Sequence, residues 1–171
     1  VESDNYGYFE TGNTNVVKNA AVVTISKAGY FNSIKTYIAV EGKNIFFRVK
    51  LIPKKNTGTV SGTTGGTVNV PGGLNIGFPA NSVVNTLTNT PYTGTFNVAA
   101  HWINPISSDL SRIMPGDLRG LNTNGNLQLL TTFGMSAVEL TGSGGELLQI
   151  APGKKASLNF PIPASILANA P

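Results

Sequence analysis

Asp117 and Arg119 form the residue pair whose chemistry and spacing are most informative in this sequence. They lie in residues 114–120, Met-Pro-Gly-Asp-Leu-Arg-Gly, where the Pro-Gly step favours a turn. Residues two apart on an extended segment point to the same side, and a guanidinium matches the two oxygens of a carboxylate. The pattern predicts a clamp that fixes the loop, with recognition of a sugar hydroxyl or a peptide carboxylate as the alternative.

Aromatic side chains offer a second kind of chemistry, because a ring near a turn can present its apolar face to a ligand while its polar end stays hydrated. The aromatic candidates are Trp102, Tyr92, Tyr30 and Tyr37. We call Trp102 and Tyr92, together with Asp117 and Arg119 as polar contacts, the aromatic platform. It predicts a shallow carbohydrate-binding surface.

Catalytic equipment is sparse. His101 is the only histidine, it lies in an alternating strand pattern beside Trp102, and the chain has no cysteine. No Gly-x-Ser-x-Gly elbow is present to activate a nucleophile. One histidine without cysteine does not supply the ligand set of a transition-metal site. We therefore expect a structural histidine.

The acidic residues of the second part of the chain also lack a catalytic pattern. They are Asp109, Asp117, Glu139 and Glu146. General acid–base catalysis needs two carboxyl groups facing one cleft, and a calcium site needs six to eight oxygen ligands; neither spacing occurs here. We expect no enzyme activity, no metal and no cofactor. The enzymatic alternative requires at least two of His101, Asp109, Asp117 and Glu139 in one cleft.

The elements that would position these residues are short strands. β-Branched and aromatic runs recur between Gly, Asn and Pro clusters, which is the pattern of an all-β sandwich. Strands are predicted at residues 20–26, 35–40, 44–52, 66–70, 74–78, 94–103, 127–132, 135–140, 146–150 and 155–160. Helix is almost missing, with a single turn predicted at residues 79–84 and a short helix at 108–113. Gly-Gly pairs and Asn124-Gly125 predict tight hairpins.

Charge divides the chain near residue 56. Charged residues make up only 12% of the sequence and the net charge is +4. Residues 1–56 hold eight basic and four acidic residues, whereas residues 57–171 hold four of each. The polar segment 53–58, Pro-Lys-Lys-Asn-Thr-Gly, therefore predicts a linker between two domains. The lysines form no basic run, so we expect no nucleic-acid partner, and no apolar stretch is long enough for a transmembrane helix.

Residues 3–53 resemble a known family. Residues 3–9, Ser-Asp-Asn-Tyr-Gly-Tyr-Phe, are similar to the Thr/Ser-Asp-x-x-Gly-x-Phe signature of carboxypeptidase regulatory-like, transthyretin-type β-sandwich domains. Residues 22–31 and 44–53 resemble the strands that follow that signature. The resemblance implies that residues 1–56 are such a sandwich, truncated because its first strands are missing.

Residues 57–171 resemble a second family. Residues 65–68 and 74–83, Gly-Gly-Thr-Val and Leu-Asn-Ile-Gly-Phe-Pro-Ala-Asn-Ser-Val, are similar to the opening of the β-sandwich domain shared by ankyrins and netrin receptors. The segments at 114–120, 133–140, 145–150 and 160–163 look like a bacterial surface-protein branch of that group, to which domains of cartilage intermediate layer protein are related. The resemblance implies structural, interaction and adhesion roles.

The sequence thus predicts two tandem β-sandwich units, residues 1–56 and 57–171. We expect a non-catalytic structural, adhesion or protein-interaction module of a secreted or outer-membrane-associated bacterial protein, of Bacteroidetes type by resemblance. A carbohydrate-binding module is the alternative. The expected partner is a protein or a glycan, and the sequence does not indicate the oligomeric state.

Overall fold

The computed structural model describes residues 1–12, 14–17 and 21–170. Within these ranges the chain is all-β, as predicted, with twelve strands and two four-residue helices. The strands are β1 (Ala21–Ile25), β2 (Ser33–Tyr37), β3 (Asn56–Ser61), β4 (Gly66–Asn69), β5 (Asn75–Phe78), β6 (Val83–Asn85), β7 (Thr95–Ile103), β8 (Arg119–Leu121), β9 (Leu127–Leu129), β10 (Met135–Thr141), β11 (Leu147–Ile150) and β12 (Ser157–Asn159). The helices are α1 (Leu110–Ile113) and α2 (Ala164–Leu167), and neither is long and apolar enough to cross a membrane.

Two antiparallel sheets form the larger part of the fold. One has five strands in the order β3-β7-β10-β11-β6, and the other has three in the order β12-β5-β4. Alternate residues of a strand face opposite sides of its sheet, so Phe96, Val98 and Ala100 of β7 share one face. They meet Val68 and Ile76 of the three-stranded sheet in a cluster of twelve buried residues, which we call the first core. The two sheets therefore pack as a β-sandwich around one core.

The opposite face of β7 carries a smaller cluster. Ile103 points away from the first core and packs with Phe31 and Ile52 in the second core. The Phe31 N–H donates a hydrogen bond to the Ile52 carbonyl at 2.9 Å. Since both of these residues precede β3, the first part of the chain covers the outer face of the five-stranded sheet.

The first part of the chain contains less strand than predicted. β1 and β2 form one hairpin, with Ala21 opposite Tyr37 and Ile25 opposite Ser33. The strand predicted at residues 44–52 is wrong, because this segment has no strand pairing, and Phe46 within it is exposed. A strand requires a continuous ladder of backbone hydrogen bonds with a neighbour, whereas this segment makes isolated ones, at Lys50 and Ile52.

The segment predicted as a linker leads directly into the sandwich. Pro53 forms an isolated bridge with Tyr30, and β3 begins at Asn56 and pairs with β7. Residues 56–58 therefore belong to an edge of the five-stranded sheet. The division of the chain into units 1–56 and 57–171 stays a prediction.

The turn signals agree well with the structure. Asn124-Gly125 lies in the turn that joins β8 to β9, where Gly125 has a φ of 78°. The Asn122 carboxamide oxygen accepts hydrogen bonds from the backbone N–H groups of Asn124 and Asn126. The helix predicted at 108–113 is α1, whereas the helical turn predicted at 79–84 is wrong, because β6 begins at Val83. β3, β6, β8 and α2 were not predicted.

Candidate functional site

Asp117 and Arg119 form the predicted ion pair. The Arg119 Nε–H donates to Asp117 Oδ2 at 2.7 Å, the Nη2 group bonds the same oxygen, and the Arg119 backbone N–H donates to Oδ1 at 3.1 Å. The guanidinium thus contacts one carboxylate oxygen, and the loop backbone takes the other. Hydrogen bonds from Arg119, and then from Thr36, hold the pKa of Asp117 below its ordinary value. These contacts are those of a loop clamp.

The same loop is attached to the β1–β2 hairpin. The Gly116 N–H donates to the carbonyl of Ile34 in β2 at 2.6 Å. The Lys35 ammonium donates to the carbonyls of Ser111 at 3.0 Å and Met114 at 2.6 Å, and Lys35 is only 6% exposed. Burial lowers the pKa of Lys35. The segment 109–119 therefore joins the first part of the chain to the sandwich.

A second polar contact reinforces this attachment. The Lys50 ammonium forms an ion pair with Asp109, and the Lys50 backbone N–H donates to the Arg112 carbonyl at 3.1 Å. Arg112 also approaches Asp109, at 3.4 Å. The hydrogen bond from Lys50 is the main cause that lowers the pKa of Asp109. Asp109 thus has two cationic neighbours.

Trp102 is packed more tightly than a platform residue would be. Its ring lies against the first core, and a Cβ placed on Gly72 would lie only 2.3 Å from Trp102 Cε3. Gly72 has a φ of 97°, so both its conformation and the ring require glycine there. The indole Nε1 is buried and has no hydrogen-bond partner among the described residues. The Trp102 ring therefore packs against the first core.

Tyr92 lies at the other end of β7. Its hydroxyl accepts a hydrogen bond from the Ser143 N–H at 3.0 Å and lies 3.3 Å from the carbonyl of Thr95, to which it donates. Thr95 and Trp102 are seven residues apart on one strand, which corresponds to roughly 23 Å. The prediction of one aromatic platform is therefore wrong as a single surface, because β7 separates its two rings. A binding role for any one of the four residues stays a prediction.

Each of the three candidate catalytic carboxylates forms an ion pair with a nearby cation. His101 and Glu139 share the outer face of the five-stranded sheet, where Glu139 pairs with Lys54 at 2.8 Å. Partial burial lowers the pKa of His101. Asp109 and Asp117 lie in the segment attached to the β1–β2 hairpin and pair with the cations described above. Within the described ranges, no three His, Asp or Glu side chains are grouped as metal ligands would be.

The most unusual surface is one that the sequence reasoning missed. On the β8–β9 hairpin, Leu121 lies opposite Leu127 and Arg119 lies opposite Leu129, so these side chains share one face of the ribbon. The three leucines, which we call the leucine face, are 71%, 58% and 85% exposed. A sequence signal exists, because residues 120–138 contain leucines but no charged residue.

No family model, curated protein or solved structure matches this chain. The resemblances to carboxypeptidase regulatory-like domains and to the ankyrin and netrin-receptor β-sandwich therefore stay predictions.

Proposed function

We propose that this chain is a non-catalytic structural, adhesion or protein-interaction module of a secreted or surface-anchored bacterial protein. The leucine face is the observation that carries the proposal. Three leucines on one side of a two-stranded ribbon are unusual at a protein surface, where contiguous apolar patches tend to be contact sites. The low charged fraction of the chain, 12%, supports an extracellular setting.

Burial of the leucine face would contribute favourable free energy to a complex. Burying an exposed leucine side chain stabilises a complex by about 1.5–3 kcal/mol before the cost of association is subtracted. Leu121, Leu127 and Leu129 lie on adjacent strands and would be covered together. A partner that covers all three therefore gains roughly 4.5–9 kcal/mol from apolar burial before that cost is subtracted.

The chemistry of the hairpin indicates the kind of partner. Among the described residues, β8 and β9 pair only with each other, so the ribbon has an unpaired edge on each side. Edge strands that avoid pairing usually carry charges; the one charge of this ribbon is Arg119, which is paired with Asp117, and residues 120–138 carry none. The proposed partner is an extended, uncharged segment of another polypeptide, added to the ribbon by β-augmentation.

The carbohydrate-binding alternative has less support. Trp102 is wedged against Gly72, and the Tyr92 hydroxyl is engaged by Ser143 and Thr95. Neither ring shares a surface with the other. We therefore rank a glycan ligand below a protein partner.

A binding screen distinguishes the two. The folded, labelled chain is applied to an array of matrix proteins and glycans, beside the double variant Leu121→Ser/Leu129→Ser and the matched control Leu87→Ser, which alters a leucine that is 92% exposed elsewhere. We expect protein binding that the double variant loses and the control keeps. Binding that survives the double variant contradicts the proposal, and a glycan signal lost in Trp102→Ala or Tyr92→Ala favours the alternative.

A further inference from the structure

A cavity of about 320 Å³ lies where the first part of the chain meets the outer face of the five-stranded sheet. We call it the junction cavity. Its wall is mainly apolar, and the apolar residues that line it include Phe31, Ile52, Ile103, Ile113, Pro115 and Ala137. It borders the second core, so a ligand there would contact side chains that the fold already holds in place. Volumes of 300 Å³ and above are typical of small-molecule sites.

One cation defines the polarity of the junction cavity. Lys50 is the charged residue of its lining, and the lining contains no carboxylate. The polar remainder is uncharged and includes Asn32 and Ser33. Ser33 Oγ is buried in this wall without a hydrogen-bond partner among the described residues, and buried hydroxyls are normally bonded. The site therefore combines an apolar wall with donors suited to an anion.

Lys50 can turn to a ligand without leaving a buried charge behind. Its side chain is 62% exposed, and its partner Asp109 is also held by Arg112. When Lys50 leaves, Asp109 keeps that second cation. The ion pair that Lys50 gives up contributes little free energy, since ion pairs at an exposed surface are weak. The exchange of partners therefore costs little.

We propose that the junction cavity binds a small alkyl carboxylate, with the alkyl chain against the apolar wall and the carboxylate at Lys50. A volume of about 320 Å³ lies at the small end of the range for small-molecule sites, so the cavity suits a ligand with a short alkyl chain. Octanoate is such a ligand. The position of the cavity gives the ligand a second effect, because it would bridge the first part of the chain and the sandwich.

The test is a titration of the whole chain with octanoate, followed by amide chemical shifts. We expect saturable, one-to-one binding with shifts confined to residues such as Phe31, Ile52 and Ala137. Lys50→Gln should weaken octanoate roughly tenfold, and the matched control Lys43→Gln, at an exposed lysine outside the lining, should not. Octanol, which has the chain without the charge, should bind more weakly and be insensitive to Lys50→Gln.

A cavity-filling variant gives a second readout. Ala137→Leu places a larger side chain in the cavity wall and should abolish binding of both probes. If Ala137→Leu does not fold, Lys50→Gln still tests the proposal, because the Lys50 side chain is mostly in solvent and its substitution should leave the fold intact. Unsaturable shifts spread over the surface, equal affinity for octanol and octanoate, or an unchanged affinity in Lys50→Gln would each overturn the proposal.

Discussion

The sandwich and the part of the chain before it bury apolar side chains in different ways. The sandwich has its own core, formed where residues such as Phe96 and Ile76 of two sheets meet. Among the described residues of the preceding part, Phe31 and Ile52 belong to the second core, whose third buried member, Ile103, belongs to the sandwich. The first core is built from residues of the sandwich itself, whereas the second core depends on Ile103 and on partly buried neighbours such as Met135 and Ala137, which belong to the sandwich.

Polar contacts also attach the first part of the chain to the sandwich. The β1–β2 hairpin is held by Lys35 and by the Gly116 hydrogen bond, and the segment around Lys50 is held by Asp109 and Arg112. Such contacts are directional but contribute little net free energy each. A region attached mainly in this way should open before the sandwich does. The comparison can be tested by removing one contact at a time.

The largest expected effect is in the first core. Phe96→Ala removes a ring that is 1% exposed and stacks edge-on against Phe78 at 5.4 Å. We expect a loss of about 3–5 kcal/mol in the free energy of unfolding, measured by urea denaturation. Phe46→Ala, the same change at an exposed ring, is the control and should shift stability very little. A small effect of Phe96→Ala would contradict the assignment of the first core.

The second core should respond less and locally. Ile52→Ala should cost about 2 kcal/mol, the low end for buried isoleucine, because the site borders a cavity. Hydrogen exchange should accelerate at Phe31 and neighbouring amides but not at Val98 in β7. Ile45→Ala, at an exposed position of the same segment, serves as control. Equal acceleration at Val98 would show that the two regions unfold as one unit.

A substitution at Lys35 tests how much the polar contacts contribute to the attachment of the first part of the chain. Lys35→Met leaves the Ser111 and Met114 carbonyls without their donor, so we expect a loss of about 1 kcal/mol near neutral pH. The control Lys43→Met, at an exposed lysine, should change the free energy of unfolding very little.

The pH dependence of that variant has a defined sign. Because burial lowers the pKa of folded Lys35 below its ordinary value of 10.5, the unfolded chain binds more protons between the two values. The stability of the wild type relative to Lys35→Met should therefore rise with pH across that window. A difference that falls or stays flat in alkaline urea titrations would argue against the buried ammonium.

The Asp117–Arg119 clamp should have the smallest effect. Asp117→Asn weakens a half-buried ion pair, so we expect a loss well below that of Lys35→Met. The folded pKa of Asp117 is lowered from 3.8, so the stabilisation is complete above that pH and disappears as pH falls through the folded pKa. Urea titrations at neutral and acidic pH check this, with Glu41→Gln as control. A wild-type advantage that persists in strong acid would contradict the pairing.

Local signals predicted much of the sandwich. Alternation along residues 94–103 indicated β7, and Asn124-Gly125 indicated the β8–β9 turn, because both depend on neighbours close in sequence. The segment 44–52 shows the limit. It alternates like a strand, yet no partner strand lies beside it, and pairing is decided by residues distant in sequence. For the same reason the supposed linker at 53–58 was not recognised as the start of β3.

The candidate site shows the same division. The Asp117–Arg119 pair was predictable from two residues and a turn, because both groups belong to one short loop. The aromatic platform was predicted wrongly, although the strand expected at residues 94–103 already places Tyr92 before its start and Trp102 near its end. The leucine face required the β8–β9 register, which aligns Leu121 with Leu127.

The sequence by itself determined the all-β class, the tight turns and the local Asp–Arg clamp, because strand periodicity, glycine conformation and ion pairing act over a few residues. The tertiary structure alone decided which strands pair, what covers the outer face of β7, and how Lys35 and Lys50 reach the segment 109–119. Those outcomes depend on packing between residues that are distant in sequence, because the apolar surface that covers a given strand can come from any other part of the chain.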